Sequence, residues 1–345
     1  MGHFCSSCWH PHAKLSFADK AVNLVVGSLL PLGKFHPGQQ EEDTTALLQK
    51  CRKAILGLNA PGYKKAVEGL WEVAEETICK PEGSHGAGVR VLLHTPKGHE
   101  SSGALPLIVW AHGGGCTLGG PDEAWGAEFF KDLATKMCDH KFCWASVDYR
   151  LSPEAKFPSG VDDMLQAYAR LKDPSFASRF GYDPQKISLG GISAGAFMAN
   201  HAALRLARDS QKDRPAFLAS LYPMADPACQ GDSHQLFGDL PMCPTLWIRW
   251  SWRALLSESL DVEPSEERVK EASLVQMDWS PCKGLTVLNV VAPFDALRDE
   301  GKTLSKAMAA GGVNVEEANG GGSHAISKGG NREAILSHFS RLLSL

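Results

Sequence analysis

Residues 187–207 read ISLGGISAGAFMANHAALRLA, and this stretch decides how the rest of the chain folds. Its first three residues are the apolar end of a strand, and residues 194–207 repeat apolar side chains at helical spacing. Between them lies Gly191-Ile192-Ser193-Ala194-Gly195, whose small residues let the strand press against the following helix. A serine in such a turn projects its hydroxyl into the open, as a nucleophile requires. The motif alone is also compatible with a tight turn that carries no chemistry.

Apolar runs on both sides of this stretch repeat the strand pattern. Continuous apolar runs of this length are typical of buried parallel strands. Strands and helices that alternate along a chain indicate an α/β fold, here a mostly parallel central sheet flanked by helices. The predicted strands cover residues 89–94, 105–110, 142–147, 187–189, 218–222, 285–291 and 313–315, and the predicted helices cover 46–56, 162–171, 194–207 and 301–310.

Two segments break the alternation. Residues 1–84 carry helical patterns and turn formers, and residues 226–282 lack a convincing central strand but contain Trp247, Trp250, Trp252 and Trp279. We predict that both segments form a helical cap. Residues 85–225 and 283–345 then form the catalytic domain.

Composition excludes several classes of protein. The 345 residues include 35 basic and 39 acidic side chains without a run of like charge, so a nucleic-acid partner is not expected. The ten cysteines are scattered singly, which favours a reducing compartment such as the cytoplasm. The only signal-like apolar run, 21–32, is too short to span a membrane, and we predict a packed helix there.

Cysteines and histidines also cluster near the start of the chain. His3, Cys5, Cys8, His10 and His12 have soft, closely spaced ligand atoms that invite a zinc interpretation. No second ligand pair follows them, and terminal segments usually fray or pack loosely. We therefore expect no metal there.

A glycine-rich segment follows the predicted strand at 105–110. The run Ala111-His112-Gly113-Gly114-Gly115-Cys116 exposes backbone N–H groups at the carboxyl end of a central strand. When a serine attacks an ester carbonyl, such amides stabilise the resulting alkoxide by a few kcal/mol per donor. Gly113, Gly114 and the amide of Ala194 are the predicted donors, and His112 is predicted to brace the loop. A flexible glycine turn is the alternative.

A serine hydroxyl needs a histidine to take its proton and a carboxylate to orient that histidine. In α/β folds of this kind both partners follow the serine along the chain. His234 lies in the presumed cap, and His338 lies in the terminal amphipathic helix, where a packed or solvated role is expected. His324 follows a glycine-rich turn after a strand and is the predicted base.

The acid is predicted from its place after a strand. Asp295 falls four residues past the apolar run 285–291, in a loop at the carboxyl edge of the sheet. Asp299 and Glu300 come one helical turn later, where acids in the first turn of a helix are commonly solvated. Asp295 is therefore the predicted partner of His324.

Taken together, these residues resemble the hormone-sensitive-lipase family of α/β-hydrolase esterases, which includes arylacetamide-deacetylase-like and plant carboxylesterase-like enzymes. The resemblance covers residues 85–345 in the right order. One position departs from the resemblance. Most members carry an acidic residue where this chain has Ile192, so the carboxylate that usually braces the turn by hydrogen bonds is replaced by an apolar side chain. The matching blocks are HGGG at 112–115, DYRLSPE at 148–154 with FP at 157–158, GISAG at 191–195, YP at 222–223, DALRDEG at 295–301 and GSH at 322–324.

The resemblance implies a serine carboxylesterase that acts on small esters with short to medium acyl chains through an acyl-enzyme. It implies no cofactor, a small-molecule ester as partner, and a fold that in relatives often pairs as a homodimer. Amide or lactone cleavage on the same residues stays open, as does a non-catalytic receptor like the plant gibberellin receptors, which lack the histidine. The predicted functional residues are the triad Ser193, His324 and Asp295; the oxyanion donors Gly113, Gly114 and Ala194; the supporting residues His112, Gly115, Gly191 and Gly195; and the pocket residues Cys116, Ile192, Trp247 and Trp250.

Overall fold

The computed structural model describes residue 15 and residues 17–35, 41–78, 88–99, 104–137, 141–324 and 330–344. A single eight-stranded sheet runs through this part of the chain in the order β1-β2-β4-β3-β5-β6-β7-β8. β2 pairs antiparallel with β1 and β4, and the other neighbours are parallel. The prediction of a mostly parallel α/β sheet is therefore confirmed. The strands are β1 Trp71–Ile78, β2 Val89–Pro96, β3 Leu105–Ala111, β4 Cys143–Asp148, β5 Tyr182–Ile192, β6 Leu218–Leu221, β7 Thr286–Val291 and β8 Asn314–Asn319.

Helices cover both faces of the sheet, which explains the continuous apolar runs. Side chains alternate across a strand, so in β3 Leu107 and Val109 enter one core while Ile108 and Trp110 enter the other. Each of the four is at most 1% exposed. The helices are α1 Phe17–Leu29, α2 Glu41–Val67, α3 Ala124–Met137, α4 Ser159–Leu171, α5 Pro174–Phe180, α6 Ala194–Asp209, α7 Asp232–Leu236, α8 Thr245–Leu256, α9 Glu266–Ala272, α10 Arg298–Ala310 and α11 Gly330–Leu343.

The polar edge strands differ from the prediction. β1 lies in the segment 1–84 that the sequence predicts to be a cap, but it is an edge strand of the sheet and pairs with β2 along its full length. Its centre carries Glu72, Glu75 and Glu76 on an edge that water reaches, so it lacks the apolar run of a central strand. The opposite edge strand, β8, ends at Asn319, well past the predicted end at 315. Its polar, partly exposed residues explain why the sequence pattern indicates only its beginning.

Segments from both predicted cap regions meet each other. The ring of Phe35, which follows α1, lies 4.3 Å from that of Trp250 in α8. The buried Asn23 accepts a hydrogen bond from the amide of Met242 at 3.1 Å and donates to Ser323 Oγ at 3.2 Å. Residues 226–282, all of which the structure describes, contain helices and no strand. Within the described ranges, no helix is both long and apolar enough to cross a membrane.

Candidate active site

Ser193 lies in a strained turn between β5 and α6. Its backbone has φ 58° and ψ −119°, a conformation that costs a non-glycine residue of order 1–3 kcal/mol. The turn is tight, because a Cβ on Gly195 would lie 2.0 Å from the carbonyl oxygen of Ala111 and one on Gly191 would lie 2.3 Å from Gly195. The Ser193 amide donates to the Leu221 carbonyl at 2.8 Å, which ties the turn to β6. The fold therefore holds this serine in a conformation that it would not adopt by itself.

The glycine loop after β3 lies beside the serine. A Cβ placed on Gly113 would be 3.7 Å from Ser193 Cβ. The Ala194 amide is the first N–H of α6 and so has no acceptor within the helix. Within the described ranges the Gly114 amide also has no protein acceptor, whereas the Gly113 amide donates to Glu123 Oε1 at 3.4 Å. The structure thus brings the three predicted donors next to the serine.

Contacts of His112 and Gly115 hold the glycine loop in place. His112 is fully buried, stacks on Tyr149 with ring centroids 4.3 Å apart, and pairs through Nδ1 with the Gly113 carbonyl at 2.7 Å. Tyr149 Oη donates to the His112 carbonyl at 2.8 Å. Burial lowers the pKa of His112, so its imidazole stays neutral. Trp247 fills the space next to Gly115, where a Cβ would approach the indole ring to 2.7 Å.

His324 and Asp295 form a buried pair in the loops after β8 and β7. His324 Nδ1 lies 2.7 Å from Asp295 Oδ2, and Asp295 Oδ1 accepts the Leu297 amide at 3.0 Å. The two loops are joined by the Phe294 amide, which donates to the Gly322 carbonyl at 3.0 Å. Burial has the largest single effect and lowers the pKa of His324, but the charges and hydrogen bonds of Asp295 and Cys243 together outweigh it, so the net pKa is well above 6.5.

Ser193 and His324 line the same cavity. No hydrogen bond joins Ser193 Oγ to the imidazole in the part of the chain that the structure describes; instead, Cys243 packs against His324. Catalytic hydrogen bonds are often long in structures without a substrate and tighten when one binds. The serine and the base are therefore neighbours, but they are not engaged with each other.

The cavity has a volume of about 280 Å³ and is mostly apolar. Of the predicted pocket residues, Ile192 and Trp247 line it, but Cys116 and Trp250 do not. The Cys116 side chain is fully buried in the core, and Trp250 turns away to pack on Phe35, so these two are removed from the predicted lining. Lining residues that sequence reasoning missed are Val26, Leu30, Leu32, Ile55, Leu58, Asn59, Leu118, Gly119, Glu123, Trp125 and Met242.

Glu123 is the most unusual residue that the sequence reasoning missed. It lines the cavity just before α3, its Oε1 accepts the Gly113 amide, and its Oε2 is buried without a hydrogen-bond partner in the described structure. Burial raises its pKa to about 7. The pair Asp122-Glu123 at a helix start reads in sequence as two solvated acids, so no signal in the sequence marked it.

Replacement of Glu123 by glutamine should stabilise the protein at alkaline pH. The pKa of Glu123 in the folded state is raised from 4.5 to about 7, so the folded state holds the proton more tightly than the unfolded state. The free energy of unfolding therefore falls as the pH rises through that range. Glutamine keeps the shape without the charge. We expect the melting temperature of Glu123→Gln to exceed that of the wild type at about pH 8.5 but much less so at about pH 5. Glu128→Gln, on the exposed side of the same helix, is the control; equal effects of both variants would contradict the expectation.

Glu300 is buried, contrary to the prediction that it is solvated. Its Oε2 lies 2.8 Å from Nε2 of His234, and its Oε1 accepts the Ala225 amide at 2.7 Å. Asp299 accepts the Ser233 amide at 2.9 Å and pairs with Arg298. Neither acid contacts His324.

The other histidines after the serine are also occupied elsewhere. His201 lies within α6 with Nε2 against the Ala272 carbonyl, and His338 pairs with Glu316.

The leader residues His3, Cys5, Cys8, His10 and His12, for which we expect no metal, lie outside the described residues.

A strained serine between strand and helix, with a histidine and a carboxylate supplied by later loops of the same sheet, defines the α/β-hydrolase class. The family model described as alpha/beta hydrolase fold matches residues 108–325. The chain belongs to this family, in its hormone-sensitive-lipase-like group.

The comparisons with individual proteins agree with the family. The chain is 34% identical over 220 residues to the carboxylic ester hydrolase LipN of Mycobacterium tuberculosis, a match that covers 62% of this chain and 55% of that protein. It is 25% identical to the ethyl acetate hydrolase of Pseudomonas putida, with 66% and 68% covered. The match thus spans about half the length of LipN. Among solved structures, a bacterial heroin esterase superposes with a TM-score of 0.76 at 24% identity, over 96% of this chain and 98% of that one, which shows a shared fold.

Proposed function

We propose that this protein is a serine carboxylesterase that hydrolyses short- to medium-chain carboxylic esters. The observation that carries the proposal is the convergence of the strained Ser193 and the His324–Asp295 pair on one small apolar cavity. Relatives named as carboxylic ester hydrolases and as an ethyl acetate hydrolase support the same chemistry.

The proposed cycle has two halves. Ser193 Oγ attacks the ester carbonyl while His324 takes the hydroxyl proton, and the carbonyl oxygen becomes an oxyanion held by the amides of Gly113, Gly114 and Ala194. The intermediate collapses, the alcohol leaves with the proton from His324, and the acyl group stays on Ser193. Water, deprotonated by the same imidazole, then releases the acid and restores the serine.

Each partner has a distinct role in the proposed cycle. Asp295 holds Nδ1 of His324 in its protonated form, which leaves Nε2 to accept the serine proton. The imidazole must move from Cys243 toward Ser193 as substrate binds, because no hydrogen bond joins the serine and the histidine within the described ranges. Residues of α1, α2 and the segment 226–282 would act as a cap, since Val26, Ile55 and Trp247 line the cavity over the sheet.

A chain-length series of p-nitrophenyl esters tests the substrate class. A cavity of about 280 Å³ has room for a small ester, so we expect kcat/KM to be highest among acetate, butyrate and hexanoate and to be low for palmitate. A maximum at palmitate would contradict the proposal. Matched anilides and a lactone belong in the same screen, because amide and lactone cleavage would use the same residues.

The pH dependence of the reaction tests the base. Only the neutral imidazole can accept the serine proton. Burial lowers the pKa of His324, but Asp295 and Cys243 together outweigh burial and raise the pKa well above 6.5. Activity should therefore rise with pH, with its acid-side midpoint above 6.5 rather than at it. The measurement is kcat/KM for the acetate ester against pH. A midpoint at or below 6.5, or a flat profile, would contradict this assignment.

A further inference from the structure

Among the residues that the structure describes, two buried clusters combine the side chains that soft metal ions prefer. In the first, ligand atoms of Cys243, Asp295 and His324 all lie within 4.8 Å of one another. In the second, the same holds for Cys229, His234 and Glu300. Both clusters offer one thiol, one imidazole and one carboxylate, a donor set typical of zinc sites.

The second cluster is already satisfied by protein contacts. His234 uses both nitrogens, one with Glu300 at 2.8 Å and the other with Thr245 Oγ1 at 3.2 Å. The Cys229 thiol contacts the Asp226 carbonyl at 3.7 Å. An ion would have to break these contacts, and the members of this cluster do not line the cavity at the serine. Its arrangement is that of a structural network.

The first cluster borders that cavity through His324. His324 itself is part of the cavity wall, and so is Met242, the residue next to Cys243. The Cys243 thiol lies against the imidazole and is buried, since Cys243 is only 3% exposed. A small ion that enters the cavity would therefore meet an imidazole, a thiol and a carboxylate together.

Charge and distance also suit an ion at this position. A thiolate and a carboxylate together carry two negative charges, so a divalent ion with a neutral imidazole makes a buried group without net charge. Ligand atoms at about 2.0–2.3 Å from one zinc ion lie roughly 3.3–3.7 Å apart in a tetrahedron. The present separation of 2.7 Å between His324 Nδ1 and Asp295 Oδ2 must widen slightly, and the thiol must move in.

We propose that Cys243, His324 and Asp295 form a binding site for a soft divalent transition-metal ion such as Zn²⁺, whose occupancy switches the enzyme off. On binding, the Cys243 thiol releases its proton to solvent and its sulfur coordinates the ion. His324 shifts its proton from Nδ1 to Nε2 and donates the Nδ1 lone pair to the metal, so Nε2 can no longer take a proton from Ser193. The inhibition rests on the proposed function, whereas the binding does not.

Cobalt(II) tests the binding without reference to activity. The full chain carrying Ser193→Ala, with Cys5 and Cys8 replaced by serine to remove the leader thiols, is titrated with Co²⁺ and followed by the ultraviolet charge-transfer absorption of a cobalt thiolate. We expect the band to appear, to persist when Cys229→Ala is added, and to vanish when Cys243→Ala is added. No band, or a band that is lost with Cys229 instead of Cys243, would overturn the proposal.

Zinc inhibition tests the consequence. With Ser193 intact and the same leader substitutions, Zn²⁺ should inhibit ester hydrolysis reversibly, and a chelator should restore the rate. Inhibition is expressed relative to the metal-free rate of each variant, and Cys243→Ala should raise the half-inhibitory Zn²⁺ concentration at least about tenfold, while Cys229→Ala should not. Equal sensitivity of both variants would overturn the switch. A cobalt band in a protein without esterase activity would refute the proposed function and leave the metal site standing.

Discussion

Ser193→Ala is expected to lower kcat for a short p-nitrophenyl ester by roughly 10⁵- to 10⁶-fold, because it removes the only atom that can form the acyl-enzyme in the proposed cycle. The base and the oxyanion amides remain, so the residual rate reflects water attack in the same cavity. The measurement is kcat of the purified variant, with a fluorophosphonate probe to detect contaminating wild-type enzyme. Normal turnover by the variant would refute the assignment of the nucleophile.

The fold of this variant should be intact. Alanine keeps the Cβ and the backbone strain of the turn, and the Ser193 amide still donates to the Leu221 carbonyl. Within the described ranges the serine hydroxyl makes no hydrogen bond whose loss would destabilise the protein. We therefore expect a melting temperature close to that of the wild type. A large fall in melting temperature would mean that lost activity reports unfolding rather than chemistry.

The same probe separates an enzyme from a receptor built on this fold. A fluorophosphonate reacts only with a serine that a base activates. Labelling of the wild type and its absence in Ser193→Ala would exclude a non-catalytic receptor. An unlabelled wild type would favour the receptor, despite the presence of His324.

The central strands were predictable because their sequence and their environment agree. β3, β5 and β7 are buried on both faces, so their apolar runs stand out. β1 and β8 lie at the edges, where charged side chains meet water, and their pattern is weak. The sequence therefore predicted β1 as part of the cap segment 1–84, because a cap and an edge strand are both partly polar, whereas the structure pairs β1 with β2 in the sheet.

The candidate site was predictable where local sequence dictates local geometry. The residues around Ser193 must be small for the chain to pass from a strand into a helix at that point. Asp295 is predicted from its place in the loop that follows the end of β7 at Val291. The local sequence does not show toward which part of the fold a side chain points. For this reason the sequence predicts Trp250 in the cavity, whereas its ring packs on Phe35.

Buried acids and thiols were the least predictable part of the site. Glu123 and Glu300 have the same sequence context as solvated acids at a helix start, and only packing against other elements buries them. Cys243 appeared as one of ten scattered cysteines, but it lies against His324, which is 81 positions away along the chain. Such proximities depend on the tertiary fold alone.

Asp295→Asn is expected to lower kcat about 10⁴-fold with little change in KM, because it fixes the wrong tautomer of the base. Asp295 Oδ1 accepts the Leu297 amide, whose N–H cannot turn away, so the carbonyl oxygen of asparagine must take that place. The side-chain NH₂ then faces His324 Nδ1 and donates to it. The imidazole carries its proton on Nε2, which can no longer accept the proton of Ser193.

Asp299→Asn is the matched control for this tautomer argument. Asp299 has the same chemistry four positions later, but it pairs with Arg298 and the Ser233 amide and makes no contact with His324. Its kcat should stay within a few-fold of the wild type. A comparable loss in both variants would show that the carboxylates act through the structure of the loop, whereas an active Asp295→Asn would mean that another group orients the base. Because the asparagine differs from the aspartate only in the group that faces Nδ1, a selective loss reports the proton position on the imidazole.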